Sequence, residues 1–171
     1  MKQTFQLILA GEGGQGLLVA GHILARAAIL EGKNVVQSKS YGIEARGGYS
    51  EAQVIISNKE IYYPKCDTPD LVLALSQKAY DRYAESVGGE CLIIYEQDGI
   101  TPLVGNNQKG FPFKRTSQEL GEPKTINVLF LGVMLRNVRL VKKESIIEAV
   151  KEVLPPKLHA KNLEALVIGM G

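Results

Sequence analysis

A run of glycines after the first apolar segment constrains this chain more than any other feature. Residues 5–10 form an apolar run that predicts a short buried strand, and the apolar residues of 17–30 fit a helix. The turn between them is Gly11-Glu12-Gly13-Gly14-Gln15-Gly16. A strand, a glycine-rich turn and a helix N-terminus form a cradle for an anion, because the first N–H groups of a helix lack partners and its dipole favours negative charge. The glycines also let a ligand or another chain approach the backbone closely.

The pattern of the remaining chain predicts an α/β protein. A second strand around Val35 and Val36 gives a β-α-β start, which favours a right-handed crossover and a parallel sheet. Residues 51–57 and 61–63 predict a hairpin, which makes the sheet mixed. Further strands are expected over residues 71–75, 91–95 and 111–115, and helices over residues 77–86, 125–137, 143–154 and 157–168. We therefore expect one domain over residues 1–171, a three-layer α/β/α sandwich with a mostly parallel, mixed central sheet.

Two of the predicted helices carry more specific expectations. Residues 125–137 are apolar around most of the helix circumference, which indicates a buried helix. The last helix has an expected inner face of Leu158, Leu163, Leu166 and Val167.

Composition excludes several classes of protein. A net charge of only +2 over 171 residues gives no sign of a nucleic-acid binder. The apolar runs are too short to span a membrane, and the first residues lead directly into a strand without a signal peptide, so we expect a cytoplasmic protein. Cys66 and Cys91 lie far apart and form no Cys-x-x-Cys pair, so we expect no disulfide and no iron–sulfur cluster held by this chain alone.

The glycine turn alone leaves its ligand open. Gly11, Gly13 and Gly16 match G-x-G-x-x-G, the pattern of dinucleotide-binding folds. Such a site also needs a carboxylate at the end of the second strand, where this chain has Val36-Gln37-Ser38. No Gly-Lys-Ser/Thr follows, which excludes a P-loop. The turn therefore accommodates a dinucleotide, another anion or a group of a partner chain, or its glycines serve close packing alone.

A second glycine segment follows the second strand. It contains Tyr41, Gly42, Glu44, Arg46, Gly47, Gly48 and Tyr49. Because loops after parallel strands lie at the same edge of a sheet, we expect this segment beside the first turn. Arg46 next to two glycines places a permanent planar cation on a backbone that permits close approach. The alternative is a solvated loop with an ordinary arginine.

The sequence offers no catalytic machinery of its own. It contains no Ser-His-Asp pattern, no cluster with metal-ligand spacing and no neighbouring carboxylates in an acid–base arrangement. A chain with a binding cradle and no chemistry suggests a subunit of a larger enzyme, with no catalytic residue and no metal ligand expected here.

These motifs together resemble the gamma subunit of 2-oxoacid:ferredoxin oxidoreductases. The resemblance rests on residues 11–16, 41–48 and 69–75, and further on Asn127 with Leu131-Gly132 and residues 161–166. It covers nearly the whole chain in the same order. Enzymes of that family decarboxylate a 2-oxoacid oxidatively with coenzyme A to acyl-CoA and CO₂, and they pass the electrons to ferredoxin. The resemblance implies that thiamine diphosphate, Mg and the iron–sulfur clusters belong to alpha, beta and delta chains or their fused equivalents.

The resemblance also implies a role for this chain. The single-domain form is most similar to gamma subunits of 2-oxoglutarate enzymes, although pyruvate and ketoisovalerate enzymes have similar chains, and Ile43 stands where many relatives carry proline. We expect the chain to be inactive alone and to complete the active-site region and its coenzyme A access. The expected surface combines Gly11, Gly13, Gly14, Gln15 and Gly16 with the second segment, and Arg46 faces a partner carboxylate or a phosphate.

Two other functions remain open from the sequence. One is an independent Rossmann-type nucleotide-binding protein, and the other is a structural adaptor whose glycines serve packing alone. Without its partners, the isolated chain would expose apolar surface that can promote self-association, for example as a homodimer.

Overall fold

The chain folds around one six-stranded sheet with the order β2-β3-β1-β4-β5-β6. The computed structural model describes residues 2–41, 48–105 and 107–171, and of Tyr41 only the backbone. The strands are β1 (Thr4–Glu12), β2 (Asn34–Tyr41), β3 (Tyr49–Ser57), β4 (Leu71–Ala74), β5 (Leu92–Glu96) and β6 (Gln108–Phe111). The helices are α1 (Leu17–Leu30), α2 (Gln77–Ala84), α3 (Phe113–Glu119), α4 (Ile126–Asn137), α5 (Lys143–Val153) and α6 (His159–Met170).

Strand β3 makes the sheet mixed. It lies between β1 and β2 and runs antiparallel to both, whereas β1, β4, β5 and β6 pair in parallel. The predicted mostly parallel, mixed sheet is confirmed. The predicted hairpin is wrong, because residues 61–63 form no strand. Both sides of β3 are already paired, so the sheet has no position for a returning strand there.

The two faces of the sheet carry unequal layers. Alternate residues of β1 point to opposite faces, so Leu7 and Leu9 join the larger core under α1, α4, α5 and α6, and Ile8 and Ala10 join a smaller one. Helix α2 contributes Ala79, Tyr80 and Ala84 to the smaller core. The fold is therefore a three-layer sandwich with most of its helices on one face.

Helices α4 and α6 pack backbone against backbone. A Cβ built on Gly132 would meet the Leu166 carbonyl oxygen, and one built on Gly169 would meet that of Leu129. The first nine residues of α4, Ile126–Met134, are all buried, so the predicted buried helix is confirmed. On the inner face of α6, Leu166 is buried and Leu163 packs against the core as expected, but the glycine contact also turns Asn162, Ala165 and Gly169 inward and leaves Val167 55% exposed.

The region after β5 also differs from the prediction. The expected strand over 111–115 is wrong, because β6 ends at Phe111 and α3 begins at Phe113. Pro112 lacks the N–H that would continue the ladder. The buried carboxylate of Glu96 accepts a hydrogen bond of 2.8 Å from the Lys114 N–H in the first turn of α3, where the helix dipole favours a negative charge. Of the helices described, none has the length and apolar character that crossing a membrane requires.

Candidate functional site

The glycine turn joins β1 to α1 through two left-handed residues. Gly14 has φ of 93° and Gly16 has φ of 73°, a conformation that costs L-residues about 1–2 kcal/mol. Gly16 is the residue before α1, and its carbonyl accepts the first helical bond, from the Ala20 N–H at 2.9 Å. The turn therefore delivers the chain directly into the helix, with the N–H groups of the first helical turn directed away from the helix body.

The side chain of Gln15 closes the turn from within. Its Oε1 atom accepts a hydrogen bond of 2.8 Å from the Glu12 N–H. The backbone N–H of Gln15 donates to the Glu12 carbonyl at 3.3 Å. A Cβ on Gly11 would collide with that Oε1 atom. Gly11 therefore leaves room for the Gln15 side chain, which holds the turn through its hydrogen bond to the Glu12 N–H.

The second glycine segment meets the turn at its far end. The Gly13 N–H donates to the Gly48 carbonyl at 2.9 Å, directly beyond the pairing of Glu12 with Tyr49. Tyr41, the last residue of β2, pairs with Ser50 in the same region of the sheet. The structure thus brings Gly13, Gly48 and the backbone of Tyr41 to one edge. Gly42, Glu44, Arg46 and Gly47 lie outside the described residues.

Two asparagines form the floor beneath the turn. Asn127 is the second residue of α4, and its Nδ2 atom lies 2.9 Å from the position that a Cβ on Gly16 would take. Its Oδ1 atom accepts from the Val128 N–H at 2.9 Å. Asn162, from the first turns of α6, reaches the same space and is 4% exposed. The sequence suggested both residues only as parts of a family pattern, since the packing that joins them to the turn is long-range.

Two cavities flank Gly14 and share it. One, of about 220 Å³, is lined by Gln15, Lys114, Ser117 and Lys124 among others. The other, of about 190 Å³, lies under Gly16 against Asn127 and Asn162. Lys124 lines both. Together they form a cleft along the N-terminus of α1.

The first cavity has the electrostatic character of an anion site. Lys114 and Lys124 are exposed and bring two ammonium groups next to the helix N-terminus. Glu122, which lines the second cavity, caps the turn before α4 by accepting a hydrogen bond from the Lys124 N–H at 3.4 Å. Two cations and a helix N-terminus favour a phosphate or carboxylate. Neither lysine was predicted as a site residue, because residues 111–115 were expected to form a strand and Lys124 lies outside both glycine segments.

A buried carboxylate stabilises the base of the second segment. Glu51, on β3, is 3% exposed and accepts hydrogen bonds from the Tyr49 and Tyr83 hydroxyls and, at 2.6 Å, from Gln53 Nε2. The guanidinium of Arg82 lies 5.0 Å from the centre of the Tyr49 ring. Burial and then the bond to Glu51 raise the pKa of Tyr49 above its usual value, and the same two causes raise the pKa of Tyr83 to about 12. Both tyrosines therefore stay neutral donors.

The two cysteines are unsuited to nucleophilic chemistry. Burial first, and then the Glu51 carboxylate, raises the pKa of the Cys66 thiol to about 12. Its Sγ atom donates to the Leu7 carbonyl at 3.5 Å. Burial likewise raises the pKa of Cys91 to about 11. Among the residues described, no group of three or more His, Cys, Asp and Glu side chains is placed to hold a metal ion.

The sheet order argues against a dinucleotide site. In a Rossmann fold the ribose-binding carboxylate ends the strand next to β1. Here the antiparallel β3 occupies that position and moves the end of β2 away by one strand spacing, about 4.8 Å. Gln37, in the middle of β2, donates from its Nε2 atom to the Leu18 carbonyl at 3.0 Å and is no carboxylate. The G-x-G-x-x-G match therefore lies in a different topology.

Comparison with known proteins gives a consistent result. The profile of the pyruvate ferredoxin/flavodoxin oxidoreductase family matches residues 6–171. The 2-oxoglutarate synthase subunit KorC of Methanocaldococcus jannaschii is 38% identical over 175 residues, covering 99% of this chain and 94% of the relative.

Solved structures extend the likeness to the fold. The gamma subunit of a keto/oxoacid ferredoxin oxidoreductase from Geobacter sulfurreducens superposes with a TM-score of 0.84 at 35% identity, over 96% of this chain and 95% of that one. A 2-oxoglutarate:ferredoxin oxidoreductase from Magnetococcus marinus, solved with 2-oxoglutarate, coenzyme A and succinyl-CoA, gives 0.89 at 25% identity. That match covers 99% of this chain and 31% of the larger one.

Proposed function

Because the chain belongs to the pyruvate ferredoxin/flavodoxin oxidoreductase family and is a gamma-type subunit of a 2-oxoacid:ferredoxin oxidoreductase, we propose that its complex acts on 2-oxoglutarate. The observation that carries the proposal is the match to a 2-oxoglutarate synthase subunit over nearly the full length of both chains. The reaction would convert 2-oxoglutarate and coenzyme A to succinyl-CoA and CO₂, with two electrons passed to ferredoxin.

The proposed role of this chain is to complete the coenzyme A access of the assembled enzyme. The cleft along the N-terminus of α1 supports this role, because Lys114, Lys124 and the N–H groups of the first turn of α1 suit the phosphates of a nucleotide thioester carrier. Gly48 supports a shared edge, since its carbonyl ties the second segment to the turn. Arg46 would add its cation to the same edge.

The catalytic groups are proposed to belong to other chains. Thiamine diphosphate, Mg and the iron–sulfur clusters would be held by alpha, beta and delta subunits or by their fused equivalents, in the cytoplasm. The relative from Magnetococcus marinus supports a fused arrangement, since this chain corresponds to about a third of its length. The present chain would bind no cofactor alone, and without its partners it can form a homodimer.

The test is purification of the native complex through a tag on this chain. We expect larger chains with thiamine and iron–sulfur motifs to copurify, and the complex to reduce ferredoxin with 2-oxoglutarate and coenzyme A. The isolated chain should show no turnover under the same conditions. Preference for pyruvate or ketoisovalerate would contradict the substrate assignment, and turnover by the isolated chain would contradict the subunit role.

A further inference from the structure

A mostly apolar cavity lies at the end of the sheet opposite the glycine turn. It has a volume of about 290 Å³, near the lower end of the roughly 300–1,000 Å³ of small-molecule sites. Phe5, at the start of β1, pairs with Ile56, at the end of β3, and both line the cavity. Val138 and Leu140, which follow α4, add to its apolar walls. The cavity shares no described lining residue with the cleft at the N-terminus of α1.

Three cations line this cavity, and two of them already have carboxylate partners. Lys2 forms an ion pair with Asp70, and Lys33 forms one with Glu31 at 3.0 Å. The third, Arg139, is exposed and forms no ion pair or hydrogen bond with another described residue. Two of the three positive charges are therefore offset, and Arg139 supplies one that is not.

The surface around the cavity is polar, which limits the size of its occupant. Gln3 and Asn58 are exposed where they line it, as are Lys2 and Arg139. None of the large apolar side chains that the described residues expose lines the cavity. A stable protein interface needs about 800 Å² on each partner, with an apolar core. An apolar area confined to this cavity therefore suits a small molecule better than a partner chain.

A single unpaired cation beside apolar walls favours a carboxylate with an apolar body. The planar guanidinium of Arg139 can bind a carboxylate through two parallel hydrogen bonds. A phosphate dianion would bring a second negative charge for which the described lining holds no further unpaired cation, and its hydrated oxygens would face apolar walls. Water alone would find few hydrogen-bond partners along these walls. An aliphatic or aromatic monocarboxylate matches both the charge and the walls.

We propose that this cavity binds a small monocarboxylate whose aliphatic or aromatic body lies against Phe5, Val138 and Leu140 and whose carboxylate pairs with Arg139. The ligand would bind the isolated chain and the assembled complex alike, since the site needs no residue of another chain. The proposal does not rest on the function proposed above, because no described residue of either glycine segment lines the cavity.

The experiment uses the isolated full chain, labelled with ¹⁵N, and three small probes. Isocaproate presents the acid, isocaproamide presents the same shape without the charge, and acetate presents the charge without the body. We expect isocaproate to shift the NMR signals of Arg139 and Leu140 and to bind about fivefold more tightly than the amide, which corresponds to about 1 kcal/mol from one exposed ion pair. Acetate should bind more weakly by about fourfold for each CH₂ group that it lacks in the cavity. Equal binding of acid and amide, or no shift at either residue, would overturn the proposal.

Two variants test the two halves of the site. Arg139→Gln removes the cation and keeps an exposed polar side chain, so we expect the acid and the amide to bind equally. Val138→Thr keeps the shape of the wall and adds a hydroxyl group, so both probes should bind more weakly by about the same factor. Arg136→Gln is the matched control, since Arg136 is also exposed, in the last turn of α4, but does not line the cavity. A preference for the acid that persists in Arg139→Gln, or disappears in Arg136→Gln, would contradict the assignment to Arg139.

The assembled complex tests whether a free ligand or a partner chain occupies the cavity. We expect isocaproate to give saturation-transfer NMR signals with the purified complex, and Arg139→Gln in this chain to weaken them. Binding to the isolated chain without a difference between the two complexes would overturn the proposal and assign the cavity to a subunit contact. Oxidation of 2-oxoglutarate by the complex tests the proposed function separately, so failure of one proposal leaves the other intact.

Discussion

Individual residues of the glycine turn have different structural roles, which the glycine pattern alone does not distinguish. Gly11 leaves room for the Gln15 side chain, whereas Gly14 and Gly16 supply left-handed backbone. The sequence predicted the turn and its residues, because glycine spacing is a local signal. It could not predict that Asn162 lies beneath the turn, since that depends on how a helix about 150 positions along the chain packs there.

Substitution of Gly16 tests the difference between these duties. Gly16→Ala combines a strained φ with a contact of 2.9 Å to Asn127, so we expect the free energy of unfolding to fall by about 2–3 kcal/mol. Gly14→Ala has the strained φ but no atom within 4 Å of the new Cβ, and its loss should be about 1–2 kcal/mol. Gly88→Ala, with neither feature, is the control in urea unfolding. Equal effects of all three would contradict this account.

The Cys66 thiol gives a prediction for alkaline pH. Its pKa rises from 9.0 to about 12 on folding, so the folded state favours the protonated form. The corresponding stability is complete below pH 9.0 and is lost as pH rises toward 12. We expect the melting temperature to fall across that window, with a shallower slope in Cys66→Ala. Cys91, Tyr49 and Tyr83, whose pKa values are also raised by burial, contribute the remaining slope. An identical slope in the variant would contradict the assignment to Cys66.

At the scale of elements, the sheet shows where sequence reasoning succeeded and where it stopped. Strands β1, β4 and β5 were predictable, because continuous apolar runs signal buried parallel strands, and β2 was located from Val35 and Val36. The insertion of β3 between β1 and β2 was not, since pairing order depends on long-range contacts that no local pattern encodes. The residues that α6 turns toward the core were missed for the same reason, because the contact between Gly132 and Gly169 joins two separate helices.

The contact between α4 and α6 predicts an unusually costly pair of alanine substitutions. Gly132→Ala or Gly169→Ala would force the helix backbones apart, and we expect a loss of about 1–3 kcal/mol in each, despite the better helix propensity of alanine. Gly21→Ala is the contrasting helical variant, because its Cβ would meet atoms of the Gln37 and Val54 side chains and not the backbone of another helix. Urea unfolding should show a small change for Gly21→Ala. A comparable change in all three would contradict the role of the backbone contact.

At the scale of the whole molecule, the cleft, Gly48 and the backbone of Tyr41 lie at one edge of the sheet, where β1 and β2 end. The rest of the chain holds that edge in place, with most helices on one face. A surface so arranged can serve a larger enzyme without contributing a reacting group. The positive charges of this surface distinguish the two roles, because binding of coenzyme A depends on them and a role in assembly alone does not.

Removal of cations from this edge distinguishes the two roles in the assembled complex. We expect Lys114→Ala, Lys124→Ala and Arg46→Ala each to raise the KM for coenzyme A roughly fivefold, the effect of about 1 kcal/mol from one exposed ion pair, with kcat unchanged. The increase should diminish at high salt. Lys151→Ala, on the exposed side of α5, is the control. Unchanged KM and turnover in all of them would favour the structural adaptor.

The edge position of β2 has a consequence for how the chain behaves outside its complex. No strand of the described sheet pairs with its outer side, so this side can act as a template for a further strand. The apolar Val35 and Val36 favour such addition, whereas the polar run from Gln37 to Ser40 opposes it. A chain synthesised in excess of its partners would therefore expose a sheet edge that can pair with another copy. Balanced synthesis of the subunits would limit such aggregation.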